Sequence, residues 1–268
     1  MNTLPIAICQ MTSVDDVEIN FKQIQKLVNE IQVAKIAFFP ENCLYMRLKE
    51  GEKIVGFTLE DEIFSRLSRL AQDKKMALHL GSVPLREQGK LSNATVFVSP
   101  EGRVQCTYRK IHLFDIALEG QAPFRESDVF NHGAKASVLD FSGVKIGQTI
   151  CYDLRFAELF SQYAKQNVEI IVVPAAFLVP TGIVHWDVLL RARAIESQAF
   201  VVAAAQAGTH QSPRGERKTY GHSLIVSPWG EILARGSADR PELMAITLDL
   251  ALVEKVRRQI PMSAHRRL

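Results

Sequence analysis

The 268-residue chain carries 32 basic and 29 acidic residues, a formal net charge of +3, and 47% of its residues are hydrophobic. A chain of this length and composition can bury a large core, and we expect residues 1–268 to form one domain. Because the charges are nearly balanced and no apolar run approaches about 18 residues, we expect neither a nucleic-acid partner nor a membrane-spanning segment.

The first half of the chain alternates predicted strands with predicted helices. Continuous apolar runs indicate buried strands, whereas apolar residues three and four positions apart indicate helices. A turn at residues 99–102 indicates a hairpin at the end of this half. The predicted order is strand 4–11, helix 17–31, strand 35–40, helix 59–72, strand 76–83 and hairpin 95–104.

The second half repeats this order. It contains strand 144–150, helix 157–165, strand 170–174, helix 186–199, strand 200–206 and hairpin 223–234. The repeat aligns Cys9 with Cys151 and Pro40 with Pro174, which indicates an internal duplication. Two such halves would bury their open sheet faces against each other, so the prediction is a mixed α/β fold, a four-layer α-β-β-α sandwich. The polar segment 209–218 is predicted to be a loop beside a site.

The cysteine pattern predicts neither a disulfide framework nor a metal site. The four cysteines, at positions 9, 43, 106 and 151, include no CxxC pair and have no histidine at metal-ligand spacing. Free thiols are typical of a reducing compartment, so we expect a cytoplasmic protein.

Cys151 is the candidate nucleophile. It ends an apolar strand and precedes a polar, helix-like segment. A strand end in an α/β protein opens onto a cleft, and the first turn of a following helix favours a thiolate. The alternative is that Cys151 is a small buried hydrophobic residue, as most free cysteines are.

Glu41 and Lys110 are candidate partners of this thiol. Glu41 directly follows a buried run, so desolvation is expected to raise its pKa towards that of a general base. Lys110, after a predicted strand, would lower the pKa of a nearby thiol or hold an oxyanion. Each of them alone could equally be a surface residue. Together with Cys151 they form a complete set for amide cleavage that needs no cofactor and no metal.

A Cys–His pair is the competing interpretation. The candidate bases are His112, His185, His210 and His222. None has a papain-type cysteine motif beside it, and His185 and His222 lie at predicted element starts.

Three segments resemble the signature blocks of the nitrilase, or carbon–nitrogen hydrolase, superfamily. They are FFPEN around Glu41, YRKIHLFD around Lys110 and TICYDLRFAEL around Cys151. The resemblance implies the four-layer sandwich, Glu41 as general base, Lys110 as oxyanion stabiliser and Cys151 as nucleophile. It further implies that the Tyr152 backbone N–H completes the oxyanion hole, that Glu126 orients the lysine and the substrate, and that subunits form a homodimer near the helix after the cysteine.

Within the superfamily, the segments HWDVLLRARAIESQAFVVAAAQAGTH and YGHSLIVSPWG resemble the deaminated glutathione amidases, with ω-amidases as close relatives. This implies a small anionic amide substrate and a cationic receptor for it. Arg155, four residues after Cys151, is one candidate, and an ion pair with Glu158 is the structural alternative. Arg47 and the segment 214–218 are others. An ω-amidase, an N-carbamoyl or other amide hydrolase, and a non-catalytic binding scaffold remain as alternatives.

Overall fold

The computed structural model describes residues 2–49, 51–87, 89–117 and 124–267. The strands, in chain order, are β1 Thr3–Gln10, β2 Ile36–Phe38, β3 Ala77–Glu87, β4 Lys90–Val98, β5 Val104–Arg109, β6 Asp115–Ile116, β7 Phe124–Arg125, β8 Val138–Phe141, β9 Val144–Gln148, β10 Ile170–Val172, β11 Phe200–Ala203, β12 Ala207–Ser212, β13 Gly215–Tyr220, β14 Leu224–Val226, β15 Ile232–Arg235 and β16 Glu242–Asp249. The α-helices are α1 Val17–Glu30, α2 Glu62–Lys74, α3 Ala157–Lys165, α4 Val179–Ser197, α5 Ala251–Gln259 and α6 Met262–His265, and two 3-10 helices span Glu126–Asp128 and Cys151–Arg155.

The two large sheets have the same topology. The first has the strand order β16-β1-β2-β3-β4-β5 and the second the order β15-β14-β11-β10-β9-β8. In each sheet three consecutive strands are parallel, two antiparallel strands follow on one side, and one antiparallel strand lies on the other. This shared order agrees with the duplication that the sequence indicates.

Three apolar clusters separate four layers. One lies between the first sheet and helices α1 and α2, and a second lies between the second sheet and helices α3 and α4. The third contains residues of both sheets and fills the space between them. Alternation along β1 shows the division: Ala7 and Cys9 face the helices, whereas Ile6 and Ile8 face the other sheet. The predicted α-β-β-α sandwich is confirmed.

The structure corrects two predicted elements. Helix α4 begins at Val179 rather than at residue 186, because Pro180 occupies the first turn, where its missing N–H costs no hydrogen bond. Residues 209–218 are not a loop, since they lie in the paired strands β12 and β13. The Ser, Pro and Gly content that indicated a loop is concentrated at the turn of this hairpin. No helix of the described ranges is long and apolar enough to cross a bilayer.

Candidate active site

Strand ends from both sheets meet at one cavity. Glu41 follows β2 and Lys110 follows β5, both in the first sheet, while Cys151 follows β9 in the second. Glu126 lies in the first 3-10 helix. All four predicted residues line this cavity, and all four are at least nine-tenths buried.

Lys110 joins the two glutamates. Its ammonium donates hydrogen bonds to Glu41 Oε1 at 2.9 Å and to Glu126 Oε2 at 2.8 Å. The Phe114 backbone N–H also donates to Glu126 Oε2, at 2.7 Å. An ammonium has three N–H groups, so one remains after both glutamates are bound.

Asn93 joins the same two glutamates from the other side. This residue of β4 donates through its side-chain Nδ2 to Glu41 Oε1 at 3.0 Å and to Glu126 Oε1 at 2.8 Å. Its backbone carbonyl accepts a hydrogen bond from the Lys110 N–H at 2.9 Å. Glu41, Lys110, Glu126 and Asn93 therefore form a closed four-membered hydrogen-bonded ring, which we call the carboxylate ring.

Glu41 links the carboxylate ring to Cys151. Its second oxygen, Oε2, accepts a hydrogen bond of 2.9 Å from the Ala176 backbone N–H, and the carboxylate interacts with the neighbouring Cys151 thiol. Cys151 itself has a φ of +48°, a left-handed conformation that is unfavourable for most residues other than glycine. The Cys151 N–H donates to the Pro174 carbonyl at 2.8 Å, which holds this conformation in place.

The protonation of Glu41 and Cys151 differs from expectation. Burial raises the pKa of Glu41, but the Lys110 charge and the hydrogen bonds more than offset it, so the net pKa lies below its ordinary value. Burial and the neighbouring Glu41 carboxylate raise the pKa of the Cys151 thiol well above its usual range, despite Lys110. The prediction of a raised Glu41 pKa and a favoured thiolate was therefore wrong. The resting site holds a carboxylate beside a protonated thiol.

Lys110 is charged. Burial alone would lower the pKa of the ammonium, but Glu126, Glu41 and Cys151 together raise it well above its ordinary value. A charged, buried donor at this position can stabilise negative charge on a substrate oxygen.

The histidines do not support a Cys–His pair. Among the described residues, no histidine lines the cavity. His112 and His185 hydrogen-bond to Asp153 and to Arg155, respectively. His210 bonds to Ser13 and Thr219, and His222 to the Tyr220 carbonyl.

Arginine and aromatic side chains form the outer wall of the cavity. The Arg155 guanidinium lies 5.3 Å from the Phe177 ring centroid and 5.7 Å from that of Tyr152. Arg217 of β13 lies 5.7 Å from the Phe124 ring centroid. Neither arginine forms an ion pair with a carboxylate within the part of the chain that the structure describes, so Arg155 is not paired with Glu158.

The remaining predicted cationic residues divide into two groups. Arg47 lines the cavity, whereas Arg214 and Lys218 are exposed and lie outside its lining. Arg214 contacts Asp15 at 3.4 Å. The segment after Cys151 is a 3-10 helix with three residues per turn, so α-helical spacing does not explain why Arg155 reaches the cavity.

Sequence reasoning missed Asn93, Ala176 and the particular role of Arg217 in lining the cavity. Asn93 had one weak signal, since it is a polar residue shortly before the apolar segment 96–98 of β4. Ala176 acts through its backbone, which no side-chain pattern reveals.

Comparison with known proteins agrees with this geometry. The carbon–nitrogen hydrolase family profile matches residues 5–258. A curated relative, the deaminated glutathione amidase of Bos taurus, is 40% identical over 98% of this chain and 81% of its own length. Omega-amidase NIT2 of Xenopus tropicalis is 40% identical over 86% of this chain and 77% of its own length. The crystal structure of the C. elegans NitFhit protein superposes with a TM-score of 0.90 at 32% identity, and covers 100% of this chain, which spans 66% of that longer protein.

The family match extends over nearly the whole chain, and the relatives that match it at 40% identity are named as amidases. The protein therefore belongs to the carbon–nitrogen hydrolase family and is a hydrolase that acts on amides.

Proposed function

We propose that the protein is a thiol amidase that hydrolyses deaminated glutathione to α-ketoglutarate and cysteinylglycine. The observation that carries the proposed chemistry is the buried contact of Glu41 with both Lys110 and Cys151. It places a base, a cation and a thiol together in one cavity.

The first half of the proposed reaction forms an acyl-enzyme. Glu41 removes the proton from the Cys151 thiol as the sulfur attacks the amide carbon, and the carbonyl electrons move to oxygen. The third N–H of Lys110 and the backbone N–H of Tyr152, which directly follows the nucleophile, stabilise this oxyanion. Because the resting thiol is protonated, proton transfer to Glu41 has to accompany the attack.

The second half releases the acid. The oxyanion collapses, the carbon–nitrogen bond breaks, and Glu41 gives its proton to the departing nitrogen. Glu41 then takes a proton from a water molecule that attacks the thioester, and Cys151 leaves as a thiol while the acyl group leaves as a carboxylic acid. Glu126 keeps Lys110 oriented throughout, since it binds the ammonium at 2.8 Å.

The outer wall of the cavity supports an anionic substrate. Arg155 and Arg217 both line the cavity, and their charges are not neutralised by a carboxylate among the described residues. Deaminated glutathione has one carboxylate on its acyl part and one on its glycine. We assign Arg155 to the acyl side, because it lies in the same 3-10 helix as Cys151, and Arg217 to the leaving side.

An ω-amidase that acts on α-ketoglutaramate is the second candidate. The relative named omega-amidase is as similar in sequence as the deaminated glutathione amidase, although over less of the chain. Its substrate has only one carboxylate, so it would use only one of the two arginines. The presence of both at the cavity favours the dianionic substrate.

We further propose that residues 1–268 form a single domain. Two copies of the chain would then form a homodimer through α4, beside α3. A helix that is apolar on all sides is normally covered on all sides. Helix α4 buries Trp186 and Leu190 in the core, yet it exposes Ile183, Val184 and Val188. The free cysteines fit a reducing compartment, and we propose a cytoplasmic location.

The test is the release of α-ketoglutarate by the purified protein from deaminated glutathione and, in parallel, from α-ketoglutaramate. Cys151→Ala is the inactive control, and Cys106→Ala, which removes a thiol outside the cavity, is the matched active one. We expect faster release from deaminated glutathione, and loss of release in Cys151→Ala by at least about 1,000-fold.

The other outcomes are equally informative. Faster release from α-ketoglutaramate would make the protein an ω-amidase. Activity on another amide alone would reject both substrates while keeping the thiol chemistry. A protein that releases nothing, and whose Cys151 reacts with low iodoacetamide no faster than Cys9, Cys43 and Cys106, would be the binding scaffold.

A further inference from the structure

The carboxylate ring holds two acids and only one base. Glu41, Glu126 and Lys110 are 4%, 6% and 2% exposed, so their charges are almost fully removed from water. With both glutamates ionised the three groups carry a net charge of −1. Two carboxylates that share a buried site usually retain a proton, because desolvation and mutual repulsion raise one pKa.

A proton retained on Glu41 would block the proposed reaction, since Glu41 could not accept the thiol proton. Lys110 alone does not satisfy both acids, because Glu126 Oε1 lies outside its two hydrogen bonds. Asn93 supplies the missing donors, one N–H to each glutamate. The orientation of its amide is fixed by chemistry, since ionised carboxylates only accept hydrogen bonds.

We propose that Asn93 is a positioning residue of the amidase reaction: by donating to Glu41 and Glu126 together, it keeps Glu41 ionised although a second acid shares the single lysine. The inference rests on the proposed function. It explains a costly feature, because the Asn93 Oδ1 atom is buried and has no hydrogen-bond partner among the described residues. A leucine of similar size would avoid that unpaired acceptor, so packing alone does not account for the asparagine.

The other ionisable groups around Asn93 do not supply this function. Cys151 faces Glu41 from the second sheet as a neutral thiol. The remaining ionisable residues of the cavity wall are Tyr45, Arg47, Tyr152, Arg155 and Arg217. No hydrogen bond joins either carboxylate of the ring to Tyr45, Tyr152, Arg155 or Arg217 within the described chain.

The test measures how fast iodoacetamide alkylates Cys151 as a function of pH, using mass spectrometry of the Cys151 peptide. This readout needs no substrate and reports the ability of Glu41 to accept the thiol proton. The acidic limb of this profile is the range at low pH over which the alkylation rate rises with pH. In Asn93→Leu we expect the acidic limb to move to higher pH by about one unit, so that the rate at a fixed acidic pH falls about tenfold. Asn93→Asp, which has the same shape and adds a third acid, should move the limb further.

Asn20→Leu is the matched control. Asn20 is equally buried and donates to the carbonyls of Val14 and Leu44, but it does not line the cavity. The acidic limb of the Asn20→Leu profile should coincide with that of the wild type, even if the substitution lowers the free energy of unfolding. The inference is overturned if Asn93→Leu and Asn93→Asp only lower the rate uniformly at every pH.

The alkylation profile and the α-ketoglutarate release assay together separate the two proposals. If the acidic limb moves as expected but no α-ketoglutarate is released from either amide, the proposed substrates are wrong and the positioning role stands. If α-ketoglutarate is released and the limb does not move, the function stands and the role of Asn93 is rejected.

Discussion

The Asp153 carboxylate accepts a hydrogen bond of 2.7 Å from the Tyr108 hydroxyl, and this contact joins the segment of the nucleophile to the segment of the lysine. Tyr108 lies two residues before Lys110, and Asp153 two residues after Cys151. The same carboxylate also accepts from the backbone N–H groups of His112 and Ile150, each at 2.9 Å. One fully buried acid thus fixes both segments.

Asp153→Asn should damage stability and activity together. The amide keeps one acceptor oxygen and turns a donor towards groups that are themselves donors. We expect the free energy of unfolding, measured with urea, to fall by about 3 kcal/mol. Displacement of Lys110 relative to Cys151 should lower kcat/KM by about 100-fold. Tyr108→Phe removes one hydrogen bond only and should cost about 1 kcal/mol. Equal losses in the two variants would contradict the bridging role.

The lowered pKa of Glu41 predicts how stability depends on pH. A carboxylate whose pKa is lower in the folded than in the unfolded state stabilises the fold above its unfolded value, and this contribution is lost as the pH falls through the folded value. The wild type should therefore lose this contribution to its free energy of unfolding below about pH 4.5. Glu41→Gln lacks the contribution at every pH, so its free energy of unfolding should fall less over the same range. Urea denaturation at pH 7 and at pH 3.5 measures the difference. Glu254→Gln, at an exposed glutamate, is the control and should keep the pH dependence of the wild type. If Glu41→Gln also keeps that pH dependence, the lowered pKa of Glu41 is refuted.

The two arginines of the cavity should affect the two candidate substrates differently. Arg155→Gln is expected to raise KM for deaminated glutathione and for α-ketoglutaramate alike, by about 10- to 100-fold. Arg217→Gln should raise it only for deaminated glutathione, because only this substrate has a carboxylate on the leaving side. Arg214→Gln, an exposed neighbour outside the cavity, serves as the control. Equal effects of Arg217→Gln on both substrates would exclude the leaving-side assignment.

The exposed face of α4 predicts the position of the dimer interface. Val188→Asp introduces a charge on this face and should convert the dimer to monomer, as measured by light scattering after size-exclusion chromatography. Val33→Asp is the matched control, since Val33 is 68% exposed and Val188 67%, but Val33 lies after α1 on the other side of the sandwich. A dimer that survives Val188→Asp, or a monomeric wild type, would remove α4 from the interface.

Much of the fold follows from local patterns in the sequence. The buried strands and the faces of α1, α2 and α3 were predictable because each buries a periodic set of apolar residues. Glu41 and Cys151 were recognisable for the same reason, since each directly follows an apolar run, and Lys110 was recognisable because it follows a predicted strand. The first turn of α4 was missed because it contains Pro180 and Gly182, and the β12–β13 hairpin was missed because its strands are mostly polar and Ser, Pro and Gly lie at its turn.

The electrostatics of the site were not predictable in this way. The Glu41 carboxylate binds Ala176, 135 residues away, and Lys110, 69 residues away. These contacts depend on how the two sheets pack, and they decide the direction of the pKa shifts. Burial beside the Glu41 carboxylate raises the pKa of the Cys151 thiol more than Lys110 lowers it. No single segment of the sequence reveals this balance.

The hydrogen bond between Glu41 and Ala176 also has a consequence for biogenesis. It joins a residue of the first half of the chain to one of the second, so the base meets the thiol only after the two halves have docked. A ribosome-bound or half-folded chain therefore carries Cys151 without its base. Amide cleavage that depends on Glu41 and Cys151 together therefore requires the completed fold.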